Sequence, residues 1–264
     1  MKIAYTMQGM IGGFNPKQRN SESVVTKDDQ ILIFKYICDT INKNILQHND
    51  IDIFIFSWHT EFEKEFTENL SPTRMKLEKQ IDFKIPDHLK HGHINRVFSS
   101  KSRWYGFQEV IKLVNDYEED HNFKYDLVIN ARLDLCWNKP YKFNELDTTK
   151  FHIPYQLDNL KWGWPYQKDE IVDHIFATNS TWMQQYSSMF DLLDEYTLPG
   201  QCPQWNTISN HFLMVWHLRK LGLLDEQTVS KTFTTMVNSW NPDADYEFFR
   251  FRDLTRENII KSLS

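Results

Sequence analysis

The ten residues from Tyr125 to Asp134, YDLVINARLD, constrain the fold more than any other stretch. An apolar run from Leu127 to Ile129 stops abruptly at Asn130, Arg132 and Asp134. A short, continuous apolar run reads as a strand covered on both faces, the kind found in parallel sheets with helices on either side. Open α/β sheets bind ligands outside the carboxyl ends of their strands, so Arg132 and Asp134 stand where a ligand is expected.

The rest of the amino-terminal half follows the same grammar. Lys2 to Met7 reads as a first strand that runs into Gln8-Gly9 and then Gly12-Gly13, residues that let a backbone turn tightly or approach a ligand. Thr26 with Asp29 marks a helix start, and Ile31, Phe34, Ile37, Cys38, Ile41 and Ile45 then recur at helical spacing. Ile51 to Phe56, IDIFIF, is a second buried strand, which completes a strand-helix-strand crossover. Residues 60–100 are charged and weakly periodic, with one strand expected near Ile81 to Ile85. From Ser102, Trp104, Phe107, Ile111, Val114 and Tyr117 share one helical face and lead into YDLVINARLD as a second crossover.

After Pro140 the pattern changes. A short strand is expected at Phe151 to Pro154 and an aromatic loop at Lys161 to Tyr166. An apolar run follows at Ile175 to Ala177, preceded by Asp173 and His174. Helices follow at Ser180 to Tyr196 and at Asn206 to Leu221. The tail after Asn238 is charged and aromatic, and its pattern assigns it no role. With 264 residues the chain is long enough to bury one full core, and one compact domain is expected.

Composition narrows the partners. A formal net charge of −6 disfavours duplex nucleic acid and anionic membranes, whose binding needs a broad basic surface. Aromatic residues make up 15% of the chain, more than packing usually needs, so some rings are expected at a ligand. Trp162, Trp164 and Tyr166 are candidates to stack on a ligand's apolar face, with burial of the loop's own rings as the plainer reading. Cys38, Cys136 and Cys202 are odd in number and form no CxxC pair, which points to a reducing compartment. The start MKIAYTM is too short an apolar stretch for a secretory signal, and no window approaches a membrane span of about 18 apolar residues. A cytoplasmic protein is expected.

The strand YDLVINARLD resembles the YDLVIxxRxD strand of glycosyltransferases of the GT-A type, which usually ends in an Asp-x-Asp motif holding metal and ribose. Arg132 replaces the first of those acids. The order of further motifs resembles a group of small glycosyltransferase-like proteins of bacteria and viruses. These are DIFIFSWHT (Asp52 to Thr60), SSKSRWYG (Ser99 to Gly106) and VDHIFATNS (Val172 to Ser180).

The resemblance implies an α/β, GT-A-like, Rossmann-type fold with a mostly parallel central sheet flanked by helices and a helical carboxyl-terminal part. Residues 1–140 would form the nucleotide-sugar half and 141–264 the acceptor half. It implies a nucleoside diphosphate sugar as donor, a glycan or related acceptor, and a divalent cation, Mn²⁺ or Mg²⁺, on Asp134 and a late His211. Arg132 would meet the diphosphate, and Thr6, Gln8 and Gly9 the base or ribose. Asp173 would deprotonate the attacking hydroxyl. Ser99, Ser100, Lys101 and Arg103 stand at an expected helix start, where free amides favour phosphate, although ordinary capping also explains the serines.

Plainer roles compete at each position. Asp134 also suits an ion pair with Arg132, Asp173 a cap, and His211 a helix surface or core. Asp87, His88, His91 and His93 read as a solvated loop rather than a zinc site. Two other functions compete: a catalytically silent carbohydrate-binding protein, and a metal-dependent phosphoesterase using Asp126 and Asp134.

Overall fold

The computed structural model describes residues 1–11, 27–89, 94–156, 171–202, 209–225, 227–236 and 241–250. Nine strands make one sheet: β1 (Ile3–Gly9), β2 (Asp52–Ser57), β3 (Arg74–Leu77), β4 (Leu127–Arg132), β5 (Leu135–Trp137), β6 (Phe151–Gln156), β7 (Ile175–Thr178), β8 (Val229–Thr235) and β9 (Tyr246–Phe248). Their order across the sheet is β3-β2-β1-β4-β7-β6-β8-β9-β5. Five of the eight pairings are parallel, and only β5 and β7 run against the rest. The carboxyl ends of β1, β2, β4 and β9 therefore share one edge with the amino end of β7. The sheet is continuous across residue 140, because β4 pairs with β7 and β5 with β9.

Period-two alternation splits the core into two layers. Ile3, Tyr5, Met7, Ile53, Ile55, Leu127 and Ile129 face α1 (Lys27–Ile41) and α2 (Glu63–Leu70). Ala4, Phe54, Phe56 and Val128 face α3 (Ile94–His121), and that layer continues onto α4 (Ser180–Tyr186), α5 (Met189–Tyr196) and α6 (Asn210–Lys220). The same alternation sends Thr6, Gln8, Asn130 and Arg132 toward the α3 side. A polar row thus ends an otherwise apolar face.

Several boundaries differ from the sequence expectations. No strand forms at Ile81 to Ile85. The strand beside β2 is β3, and Ile81, Phe83 and Ile85 instead pack their alternate side chains on the α3 layer, Phe83 meeting Trp58, Tyr105 and Phe190. The long helix begins at Ile94, not Ser102, since Val97 extends the buried stripe of Trp104, Phe107, Ile111 and Val114 back by two turns. Ser99 to Arg103 therefore lie inside the helix, where backbone amides are already bonded.

The helix expected from Ser180 to Tyr196 is two helices. At the break the Ser187 and Ser188 hydroxyls donate to the Gln184 and Gln185 carbonyls, at 2.7 and 2.8 Å, satisfying acceptors at the end of α4. After α6 the chain returns to the sheet as β8 and β9. Gly12-Gly13, Thr26, the Lys161 to Tyr166 loop, and His91 and His93 lie outside the described residues.

Candidate functional site

β4 stops at Arg132, and Leu133 and Asp134 turn the chain into β5. The turn is tied down on both sides: the Leu133 amide donates to Gln8 O at 3.1 Å, and Asp134 O accepts from the Phe249 amide at 2.9 Å. Arg132 folds back on Asp134 in a bidentate pair, with Nε on Oδ1 at 2.8 Å and Nη2 on Oδ2 at 2.9 Å. Arg250, just past β9, donates its Nε to the same Oδ2 at 2.9 Å. Both guanidinium groups also lie against the Phe248 ring, 4.9 and 4.3 Å from its centroid, a favourable cation-to-ring contact. Burial alone would raise the Asp134 carboxyl, yet the two arginines outweigh it and hold the group well below the usual carboxylate range.

Beside this turn, the amino end of β7 brings in Asp173 and His174. The first turn of α6 adds Asn210 and His211, and α3 adds Arg103. Asp173 Oδ1 pairs with His211 Nε2 at 3.1 Å, while Oδ2 faces Arg103 Nε at 3.4 Å, Asn210 Nδ2 at 3.4 Å and Arg132 Nη1 at 4.0 Å. Arg103 Nη2 also donates to Asp173 O at 2.7 Å, and its buried Nη1 has no partner among the described residues. Asn210 accepts from Trp104 Nε1 at 3.1 Å, which locks its amide. Burial would raise Asp173 as well, but the His211 hydrogen bond and the charges of His211, Arg132 and Arg103 keep it ionised far into acid. The same burial draws Arg103 down to about 10 against the pull of Asp173. Burial also pushes His174 well below its ordinary value, so this imidazole is neutral at pH 7.

The structure joins Arg103, Arg132, Asp134, Asp173 and His211 in one network. Four expected residues, Lys101, Thr6, Gln8 and Gly9, stand outside that network. Lys101 Nζ, on α3, is bound to Lys84 O at 2.8 Å and Asp194 Oδ1 at 2.7 Å, tying α3 to α5 and to the loop before α3. Thr6 is buried, and its hydroxyl accepts from Asn130 Nδ2 at 2.9 Å. Gln8 lies beside Arg132 in the sheet register, buried, with neither amide atom partnered among the described residues. Gly9 ends β1 at φ +118°, a backbone state that requires glycine.

Asp126 accepts from the Lys2 amide at 2.7 Å at the opposite end of β4 from Asp134. A six-residue strand separates them by roughly 20 Å, so these two acids cannot share a metal. His88 spends its Nε2 on Thr197 O at 2.9 Å.

Sequence reasoning missed Arg250, Phe248, His174 and Asn210. The three-residue strand β9 is too short for an alternation signal, and Asn210 looks like any polar residue at a helix start.

Asp173, His174 and His211 offer ligand atoms that all lie within 4.8 Å of one another, a donor set able to hold a metal ion. The expected pairing of Asp134 with His211 does not form: His211 turns to Asp173, and both Asp134 oxygens accept from arginine.

No family model matches the chain, and no curated protein matches it. Among solved structures, one similar chain is a "putative nucleotide-diphospho-sugar transferase" from Desulfovibrio desulfuricans. It is 13% identical over 89% of this chain and 81% of that one, with a TM-score of 0.45. Among the described residues, no helix is long and apolar enough to cross a membrane.

Proposed function

We propose that this chain transfers a sugar from a nucleoside diphosphate sugar to a hydroxyl of a glycan or related acceptor. One observation carries the reading. The edge where a mostly parallel sheet takes its ligands gathers Arg103, Arg132, Asp134, Asp173 and His211 into a single bonded network. Arg132 meets the diphosphate, and Asp134 anchors its guanidinium from below. Gln8 and Gly9, at the end of β1, take the nucleoside side, with Thr6 behind them.

Asp173 serves the acceptor. The hydroxyl oxygen attacks the anomeric carbon, the bond to the diphosphate breaks, and the hydroxyl proton passes to Asp173. Its base form is present throughout the neutral range, but pairing with Arg103 and His211 weakens it as a base. Proton transfer therefore requires the acceptor to displace one partner, and His211, the more exposed of the two, is the one that yields. Asp173, His174 and His211 stand close enough to offer three donor atoms to a divalent ion, which would supply positive charge there but would occupy the carboxylate that the transfer needs as its base, so no step runs through it.

A panel of nucleotide sugars, scored for nucleoside diphosphate release and for thermal stabilisation, tests the reading. One base should raise Tm, because a ligand that binds only the native state stabilises it, and its sugar should be released. Asp173→Asn should cut the rate about a hundredfold or more while retaining donor binding. If no donor is hydrolysed and no nucleoside diphosphate shifts Tm, the proposal fails.

A further inference from the structure

The ionic network is layered by charge. The Asp134, Asp173 and Arg103 side chains are 2%, 5% and 8% exposed, whereas Arg132 and Arg250 are each 26% exposed and His211 is 30% exposed. A ligand arriving from solvent meets cations first. Among the described residues, three guanidinium groups (Arg103, Arg132, Arg250) stand against two carboxylates (Asp134, Asp173) in this network, an excess of one positive charge before His211 is counted.

The arginines are also oriented. Arg132 commits Nε and Nη2 to Asp134, which directs Nη1 toward Asp173, 4.0 Å away and too far for a hydrogen bond. Arg103 Nη1 is buried without a partner among the described residues, and an unpaired buried donor costs free energy until an acceptor arrives. Planar guanidinium forks held this way match phosphate oxygens closely.

A divalent ion suits this setting less well. Mg²⁺ and its relatives prefer several oxygen ligands, and the three-residue donor set supplies one carboxylate and two imidazoles. That carboxylate already faces Arg103 and Arg132, whose charges oppose a second cation.

We infer that the donor's diphosphate is held directly by Arg132, with Arg250 and the more deeply buried Arg103 adding charge beside it, so that nucleotide binding does not require a divalent ion. The inference rests on the reading of the donor as a nucleoside diphosphate sugar.

Isothermal titration with inorganic pyrophosphate, UDP and GDP, each in EDTA and again with Mn²⁺, tests it. Pyrophosphate and one of the two nucleotides should bind in EDTA, more weakly as salt rises. Arg132→Gln should lower the affinity about tenfold or more. Arg74→Gln, which removes a pair with Asp120 and a contact with the Tyr117 ring at the carboxyl end of α3, should leave binding unchanged. Binding of pyrophosphate and nucleotide only when Mn²⁺ is present would overturn the inference and leave the transferase reading standing. Pyrophosphate binding in EDTA with no nucleoside diphosphate bound under either condition would remove the donor reading and keep the anion site. If Arg132→Gln does not fold, the wild-type comparison in EDTA and its salt dependence decide alone.

Discussion

Asp134→Asn should make the protein less stable and yet bind pyrophosphate more tightly. In the native chain this carboxylate accepts three guanidinium hydrogen bonds, two from Arg132 and one from Arg250, and it is almost fully buried. Removing one partner of a buried ion pair costs about 3–5 kcal/mol when the other charge stays dry. Both arginines here are a quarter exposed and regain water, and asparagine keeps one acceptor oxygen, so about 2 kcal/mol is expected. For a chain of this size that lowers Tm by about 4–8 °C.

Binding moves the other way. The lost carboxylate had repelled the incoming anion across the guanidinium layer. At roughly 6 Å and an effective dielectric of about 40 that repulsion is about 1.4 kcal/mol, or about tenfold in affinity. The Phe248 ring still supports both guanidinium groups, so their placement is largely kept. Calorimetric melting and titration with pyrophosphate in EDTA read the two effects separately. An unchanged Tm would show that the carboxylate is not committed to the arginines. A folded variant that loses pyrophosphate binding would show that Asp134 is needed to place the arginines or a cation at the anion, and the repulsion argument would collapse.

Two further outcomes concern the scaffold. His217 is buried between the Tyr196 hydroxyl, 2.7 Å from Nδ1, and the Tyr186 carbonyl, 3.2 Å from Nε2, and burial pushes it down to about 4. The unfolded chain then binds more protons between the ordinary pKa near 6.5 and that value, so stability is fully present above about 6.5 and declines by up to about 3 kcal/mol as pH falls to 4. Urea midpoints of the parent and of His217→Gln across that range check it, and identical slopes would refute it. Gly106→Ala in α3 should destabilise by about 1 kcal/mol, because overpacking outweighs the helix-propensity gain of about 1 kcal/mol. Its Cβ would stand 3.0 Å from the Phe56 ring and 3.1 Å from Gln8 Oε1, and Phe56 is fully buried and backed by Trp58. A higher Tm for this variant would show that the ring yields.

The strands that seat the site were legible because each is a local event: IDIFIF and LVIN announce burial on both faces within six residues. The start of α3 was not, since Val97 joins the stripe only through its packing partners. Charge at the site was legible only in part, for a related reason. Along the chain, Asp134 has one basic neighbour two places back, and a balanced pair of that kind leaves room for a metal. The fold adds Arg250 from 116 residues further on, and adds Arg103 from α3, the helix packed on one face of the sheet, through Asp173. Each addition is a long-range contact that no window of sequence contains, and together they reverse the sign of the site. An acid that reads as a cation ligand in the sequence becomes, in the fold, the buried counter-charge of two guanidinium groups that lie against one ring.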